Sequence, residues 1–338
     1  MGEPMVEKRF EGQRMLVTGG AGAIGVNLSA RLLSIGARVT VLDDFSSAYE
    51  WNVPPGVDLV RGDVRDERAL DEAFAQRPDR VFHLAAHFAN QNSVDHPETS
   101  LDVNGMGTLR VLERCRRARV QRVVFASSGC GVYGTECPLP FREEQVSLRL
   151  HTPYQLTKLL GELLGNYFHL HFGLPFVSAR LFNVFGPGEV PGRYRNVIPN
   201  FFYRAMKGEP LPITGSGDET RDWTFVDDAV EALLAMATVP AAVGEAFNVA
   251  SGSETRVFDM AAEVNRLTGN AAGIRYSARR DWDAKTRLCA SIDKGRSLLG
   301  YEPRTSFLDG LERVREWFVR HWDSILTSTD LESAGQVD

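Results

Sequence analysis

What this chain lacks narrows it first. No apolar run is long enough to span a bilayer. Residues 1–13 are charged and carry no secretory signal core. Cysteine is sparse, with Cys115, Cys130, Cys137 and Cys289 among 338 residues, and their spacing is not that of metal ligands. With no secretory signal, the thiols read as reduced, the protein as cytoplasmic, and no metal is expected. An excess of basic charge is missing as well. The 38 Lys and Arg against 44 Asp and Glu leave −6, which argues against a nucleic-acid surface. No internal repeat or low-complexity block is present. Residues 327–338 are small, polar and acidic, and 325–338 is expected to be a disordered tail.

What is present is an ordinary globular composition, 43% hydrophobic and 24% charged, long enough for one large or two ordinary domains. Its first half alternates β-branched runs with helical patterns. Strands are expected at 15–18, 38–42, 58–61, 80–84, 122–126 and 176–181, and helices at 24–35, 67–76, 103–118 and 154–171. Such alternation implies an α/β fold, a doubly wound parallel sheet covered on both faces, with ligands beyond the carboxyl ends of the strands.

The residues that follow each strand fit that expectation. After the first come Gly19, Gly22, Ala23, Ile24 and Gly25 in a GxxGxxG turn that opens a helix. Glycine lets backbone approach a pyrophosphate, and the helix start offers unpaired N–H groups to an anion. After the second come Asp43, Asp44, Phe45 and Ser46. Asp43 lies 18 residues beyond Gly25, where a carboxylate would accept from the adenosine ribose and repel a 2′-phosphate, so NAD is expected as cofactor. After the third, Asp63 could accept from the adenine amino group with Val64 on the ring, or could simply make a turn, with Asp66 capping the next helix. After the fourth, Leu84, Ala85 and Ala86 would let backbone approach the cofactor, while His83 reads as a satisfied strand-end histidine. After the fifth, Ser127 to Gly134 is a run of small residues. Downstream, Tyr154 and Lys158 share one helix face, and a lysine beside a phenol favours the phenolate, making Tyr154 a candidate general base.

These motifs together resemble the extended short-chain dehydrogenase/reductases, in the branch of sugar-nucleotide epimerases and dehydratases. They are TGGAGAIG (18–25), GDVRD (62–66), HLAA (83–86), VNGMGT (103–108), SSGCGVYG (127–134), YQLTK (154–158), RLFNVFGPG (180–188) and RDWTFVDD (221–228). The resemblance implies a Rossmann NAD-binding domain over 12–186 and a smaller α/β domain for a nucleotide-diphosphate sugar over 187–324. Part of 221–250 would return to the first domain. It also implies a homodimer through the helices near 103–118 and 154–171. By the same resemblance, Tyr154 and Lys158 are the catalytic pair, Asn104 fixes the site and Val184 lies by the nicotinamide. Asn183, Asn196, Val197, Ile213, Arg221, Arg280 and Asp283 would hold the substrate.

One departure stands out. Where the family places a Ser or Thr that bonds the sugar 4-hydroxyl, this chain has Gly129, with Ser128 adjacent. Cys130 and Gly131 occupy the positions where family 4,6-dehydratases carry an Asp–Glu pair. That absence favours C4 epimerisation through a 4-keto sugar. The alternatives are a dehydratase, a decarboxylase or a C3/C5 epimerase using Cys130, and, outside enzymes, a nucleotide-sensing scaffold.

Overall fold

The computed structural model describes residues 8–283, 285–329 and 331. Seven parallel strands form its central sheet: β1 (Arg14–Thr18), β2 (Arg38–Asp43), β3 (Asp58–Arg61), β4 (Arg80–His83), β5 (Arg122–Ser128), β6 (Phe176–Leu181) and β7 (Ala246–Val249). Their order is β7-β6-β5-β4-β1-β2-β3. The order reverses between β1 and β4, and a crevice opens there beyond the strand ends. Every residue of β5 is buried, as a strand covered on both faces requires.

The helices begin and end where local chemistry dictates. Asp66 caps Glu67–Ala75 (α2) by accepting from the Arg68 amide. Thr152 caps Pro153–Phe172 (α4), Pro153 sits in the first turn, and Gly173 ends the helix at φ +69°. Helix α4 lies unusually close to the sheet. A Cβ on Gly161 would stand 2.2 Å from the Phe125 ring, and one on Gly165 2.0 Å from the Phe176 ring. Those two absences let α4 settle onto β5 and β6 and carry its first turn over the crevice. Phe125 and Phe176 are both buried, and each stabilises this face by about 1.5–3 kcal/mol.

Two expectations near the helices change. The helix expected from 103 begins as a π-helical segment, Leu101–Gly107, before Thr108–Ala118 (α3). The tail expected to be disordered from 325 starts instead with a helix, Trp322–Ser328, whose Ile325 is fully buried; residues 330 and 332–338 lie outside the described residues.

Beyond β6 the chain builds a second layer. Val197–Met206 (α5), Val257–Thr268 (α7, after Val226–Thr238, α6) and Phe307–Arg320 (α8) pack together around Phe201, Phe202, Met260 and Phe318. Leu211–Thr214 pairs in parallel with Ile274–Ser277 beside them. Between these elements the chain adds β7 to the edge of the main sheet, against β6.

Candidate active site

One cleft of about 1700 Å³ runs along the carboxyl ends of the strands and into the second layer. An ordinary single-ligand pocket holds roughly 300–1,000 Å³, so two ligands can meet here.

The glycine turn forms one end. Gly19 has φ +70°, and a Cβ there would lie 2.5 Å from the Ala85 amide nitrogen. A Cβ on Gly25 would lie 2.4 Å from the Gly19 carbonyl oxygen. Gly22 differs: its only close neighbour is the Gly19 oxygen at 3.3 Å, so its missing side chain leaves the helix start open to the cleft. Helix α1 (Ala23–Ser34) has no side-chain cap, and its first N–H groups stay available to an anion. Asp43 braces this loop by accepting from the Ala21 and Phe45 amides, both at 2.9 Å. Burial raises its pKa from the ordinary value, with the two backbone hydrogen bonds acting in the opposite direction. A dinucleotide pyrophosphate fits this cradle, and the Asp43 carboxylate disfavours a phosphorylated ribose beside it.

The Tyr154–Lys158 pair lies at the cleft over β5. Tyr154 is nearly buried, with Phe88 edge-on to its ring at 5.8 Å. Lys158 donates to the Ala126 carbonyl at 2.7 Å, and its ammonium sits 5.6 Å from the Tyr154 ring centroid. The expectation that Lys158 lowers the Tyr154 pKa does not hold in the ligand-free protein. Burial pushes the phenol upward, with the Cys130 thiol adding to the shift. Burial likewise pulls Lys158 down to about 7. Desolvation dominates both shifts because both groups are enclosed.

Ser128 and Cys130 line the cleft beside Tyr154. Ser127 does not reach substrate space with its hydroxyl: it donates to buried Glu162, which pairs with Arg180 at 2.8 Å. Cys130 is raised by burial, with the Asn183 amide and the Lys285 charge acting in the opposite direction. A thiol so placed stays protonated near neutrality.

Most of the residues singled out in the sequence meet at this cleft. Gly19, Gly22, Ala23, Ile24, Gly25, Asp43, Ser46, Asp63, Val64, Leu84, Ala85, Ala86, Ser128, Cys130, Tyr154, Lys158, Asn183, Val184, Asn196, Val197 and Arg280 all line it. Five others do not, each for a local reason. Phe45 has φ +58° and lies under the Arg61 guanidinium, 4.8 Å from its centroid. Asn104 is buried, accepting from the His87 amide at 2.7 Å and donating to Thr157 at 3.0 Å, so it braces the wall from behind. Ile213 points into the core because strand residues alternate, which leaves Pro212 and Thr214 facing the cleft. Arg221 pairs with Asp283 at 3.5 Å, behind the lining residues. Asp63 does reach the cleft, but Arg65 holds its carboxylate through three donors and lowers its pKa against the effect of burial. His83 is the satisfied histidine expected: it bridges Thr18 and Thr108 at 2.7 and 2.9 Å, and burial holds its pKa near 3.

Glu189 is a residue the sequence did not single out. It is 4% exposed and lines the cleft, and its Oε1 accepts from the Asn196 side chain at 2.9 Å while Oε2 has no partner among the described residues. Burial raises its pKa to about 7. Nothing in a Gly-Glu-Val-Pro run announces a buried acid.

Comparison with known proteins agrees with this geometry. The model of the NAD-dependent epimerase/dehydratase family matches residues 15–250. A UDP-glucose 4-epimerase of Mycolicibacterium smegmatis is 33% identical over 310 residues, covering 90% of this chain and 98% of that protein. The structure of an epimerase from Methanothermobacter thermautotrophicus superposes with a TM-score of 0.95 at 57% identity, over 96% of this chain and 97% of that one. A UDP-glucose 4-epimerase from Thermotoga maritima, solved with UDP-glucose, gives 0.88 at 30% identity, over 92% and 100%. A parallel sheet with an open glycine turn, an acid closing the second strand and a Tyr–Lys pair over the fifth thus meets a match across most of the chain: this protein belongs to the NAD-dependent epimerase/dehydratase family of enzymes.

Proposed function

We propose that this enzyme is a nucleotide-sugar 4-epimerase acting on a UDP-linked sugar. The observation that carries the choice among reactions is the turn after β5. It presents Ser128 and Cys130 to the cleft beside Tyr154, and no carboxylate stands on it. A 4,6-dehydratase must remove the C5 proton and protonate the departing C6 hydroxyl, which this turn has no acid–base pair to do.

When bound, NAD supplies a reversible hydride acceptor. The chain's own residues handle the proton and the geometry. Tyr154 takes the proton of the 4-hydroxyl and returns it, and Lys158 supplies the positive charge that phenolate formation needs in a buried site. Ser128 supplies the hydroxyl that orients the sugar 4-oxygen. Asn183, at φ +33° and donating to the Asp222 carbonyl at 3.0 Å, forms part of the cleft wall that meets the substrate. Arg280 faces the cleft with no carboxylate paired to it among the described residues, and meets the diphosphate.

The enzyme acts as a homodimer in this reading. Leu156, Leu163, Tyr167 and Leu170 are 50–83% exposed at helical spacing along α4, a face that a second copy would cover. Four free cysteine thiols support a reducing, cytoplasmic setting. The test is incubation with UDP-glucose, UDP-glucuronate and dTDP-glucose, with products resolved by NMR. Net inversion at C4 is expected; a 4-keto-6-deoxy or decarboxylated product overturns the reading.

A further inference from the structure

The loop of residues 278–283 and 285–287 faces two ways. Toward the cleft it presents Arg279 and Arg280. Arg279 also donates to the Lys285 carbonyl at 2.7 Å and approaches Asp283 at 3.7 Å. Lys285 itself turns away. Its Nζ donates to the Cys130 carbonyl at 2.8 Å and lies 5.4 Å from the Phe141 ring centroid. The charged and titratable groups around it are Cys130, Cys137, Arg221 and Asp283, and burial lowers its pKa to about 8. No carboxylate lies within ion-pair distance of Lys285 among the described residues. A desolvated ammonium without a paired carboxylate is costly to stability, so packing alone is a poor account of it. Its hydrogen-bond acceptor is the backbone of the turn that carries Ser128.

We propose that Lys285 is a positioning residue, tying the arginine loop at the diphosphate end of the cleft to the Ser128–Cys130 turn at the reactive end. This rests on the nucleotide-sugar reading above. The route is short and continuous: Arg279 to the Lys285 backbone, the Lys285 side chain to the Cys130 carbonyl, and that turn to Ser128 beside Tyr154. Filling the diphosphate end therefore sets the hydroxyl and the thiol before the sugar reacts.

UDP tests this, because it fills the diphosphate end without placing a sugar over Cys130. In NAD-loaded protein, the alkylation rate of Cys130 by iodoacetamide is followed by peptide mass spectrometry, with and without UDP, and UDP affinity by calorimetry. In the wild type, UDP is expected to change the Cys130 rate by at least ~5-fold, the lower end of ordinary coupling between sites. In Lys285→Met that change disappears while UDP still binds, and Lys285→Arg restores part of it. Lys285→Gln, measured alongside, gives the same result as Lys285→Met and serves if that variant does not fold. An undiminished UDP effect in both uncharged variants overturns the proposal, as does a wild-type Cys130 rate indifferent to bound UDP. Failure of UDP to bind the wild type instead overturns the nucleotide reading on which the proposal rests.

Discussion

The Phe182 ring occupies the space that a side chain at residue 129 would need. A Cβ on Gly129 would stand 1.9 Å from Phe182 Cε2, far inside contact distance. The absence of a side chain at 129 therefore has a packing reason, and the adjacent Ser128 lines the cleft. Gly129→Ser is expected to overpack this corner at a cost of ~1–3 kcal/mol. Thermal denaturation would show the lowered Tm, with no gain in turnover. Ser128→Ala is expected to lower kcat ~100-fold with little change in Tm, as loss of one positioned donor does. Equal turnover in Ser128→Ala and wild type would remove Ser128 from the mechanism.

Tyr154→Phe removes the proposed proton carrier and leaves the ring that Phe88 meets. Turnover should fall ~10²–10⁴-fold. Bound NAD, quantified after heat release, should stay at the wild-type level, because the glycine turn and Asp43 are untouched.

Glu189 makes stability depend on pH in a definite direction. Its folded pKa, about 7, lies above its ordinary 4.5, with burial as the main cause. The folded state therefore binds the proton more tightly, and this contribution is complete below pH 4.5 and lost as pH rises through 7. Glu189→Gln is expected to have a Tm advantage over wild type that grows between pH 4.5 and 8 in ligand-free protein. A constant difference across that range would contradict a buried, titrating acid.

The exposed face of α4 predicts the state of assembly. Leu163→Glu combined with Leu170→Glu places two charges on that face, where both leucines are more than half exposed. Sedimentation should shift from a dimer to a monomer. A wild type that sediments as a monomer would dispose of the proposed interface.

Much of this site was legible in the sequence because it follows strands whose apolar runs mark them plainly. The glycine turn, Asp43, and the Tyr154–Lys158 spacing depend only on local order, and all of them reach the cleft. What was not legible depends on distance in space. Ile213 faces the core because strand register turns it inward, and Arg221 pairs with Asp283 rather than lining the cleft. Asn104 sits behind the wall, since both ends of its amide are bonded to protein. Gly129 reads as a lost function until Phe182, 53 residues on, is seen in its place. Glu189 and Lys285 gave no signal at all, because full or partial burial of a titratable group without an ion-pair partner has no sequence pattern.

The most direct test of C4 epimerisation is turnover of a UDP-hexose in deuterium oxide, read by NMR and mass spectrometry. Inversion at C4 is expected with no deuterium on any sugar carbon, since the only proton exchanged in the proposed reaction is that of the 4-hydroxyl through Tyr154. Deuterium at C3 or C5, or a product that has lost its C6 hydroxyl, would contradict it.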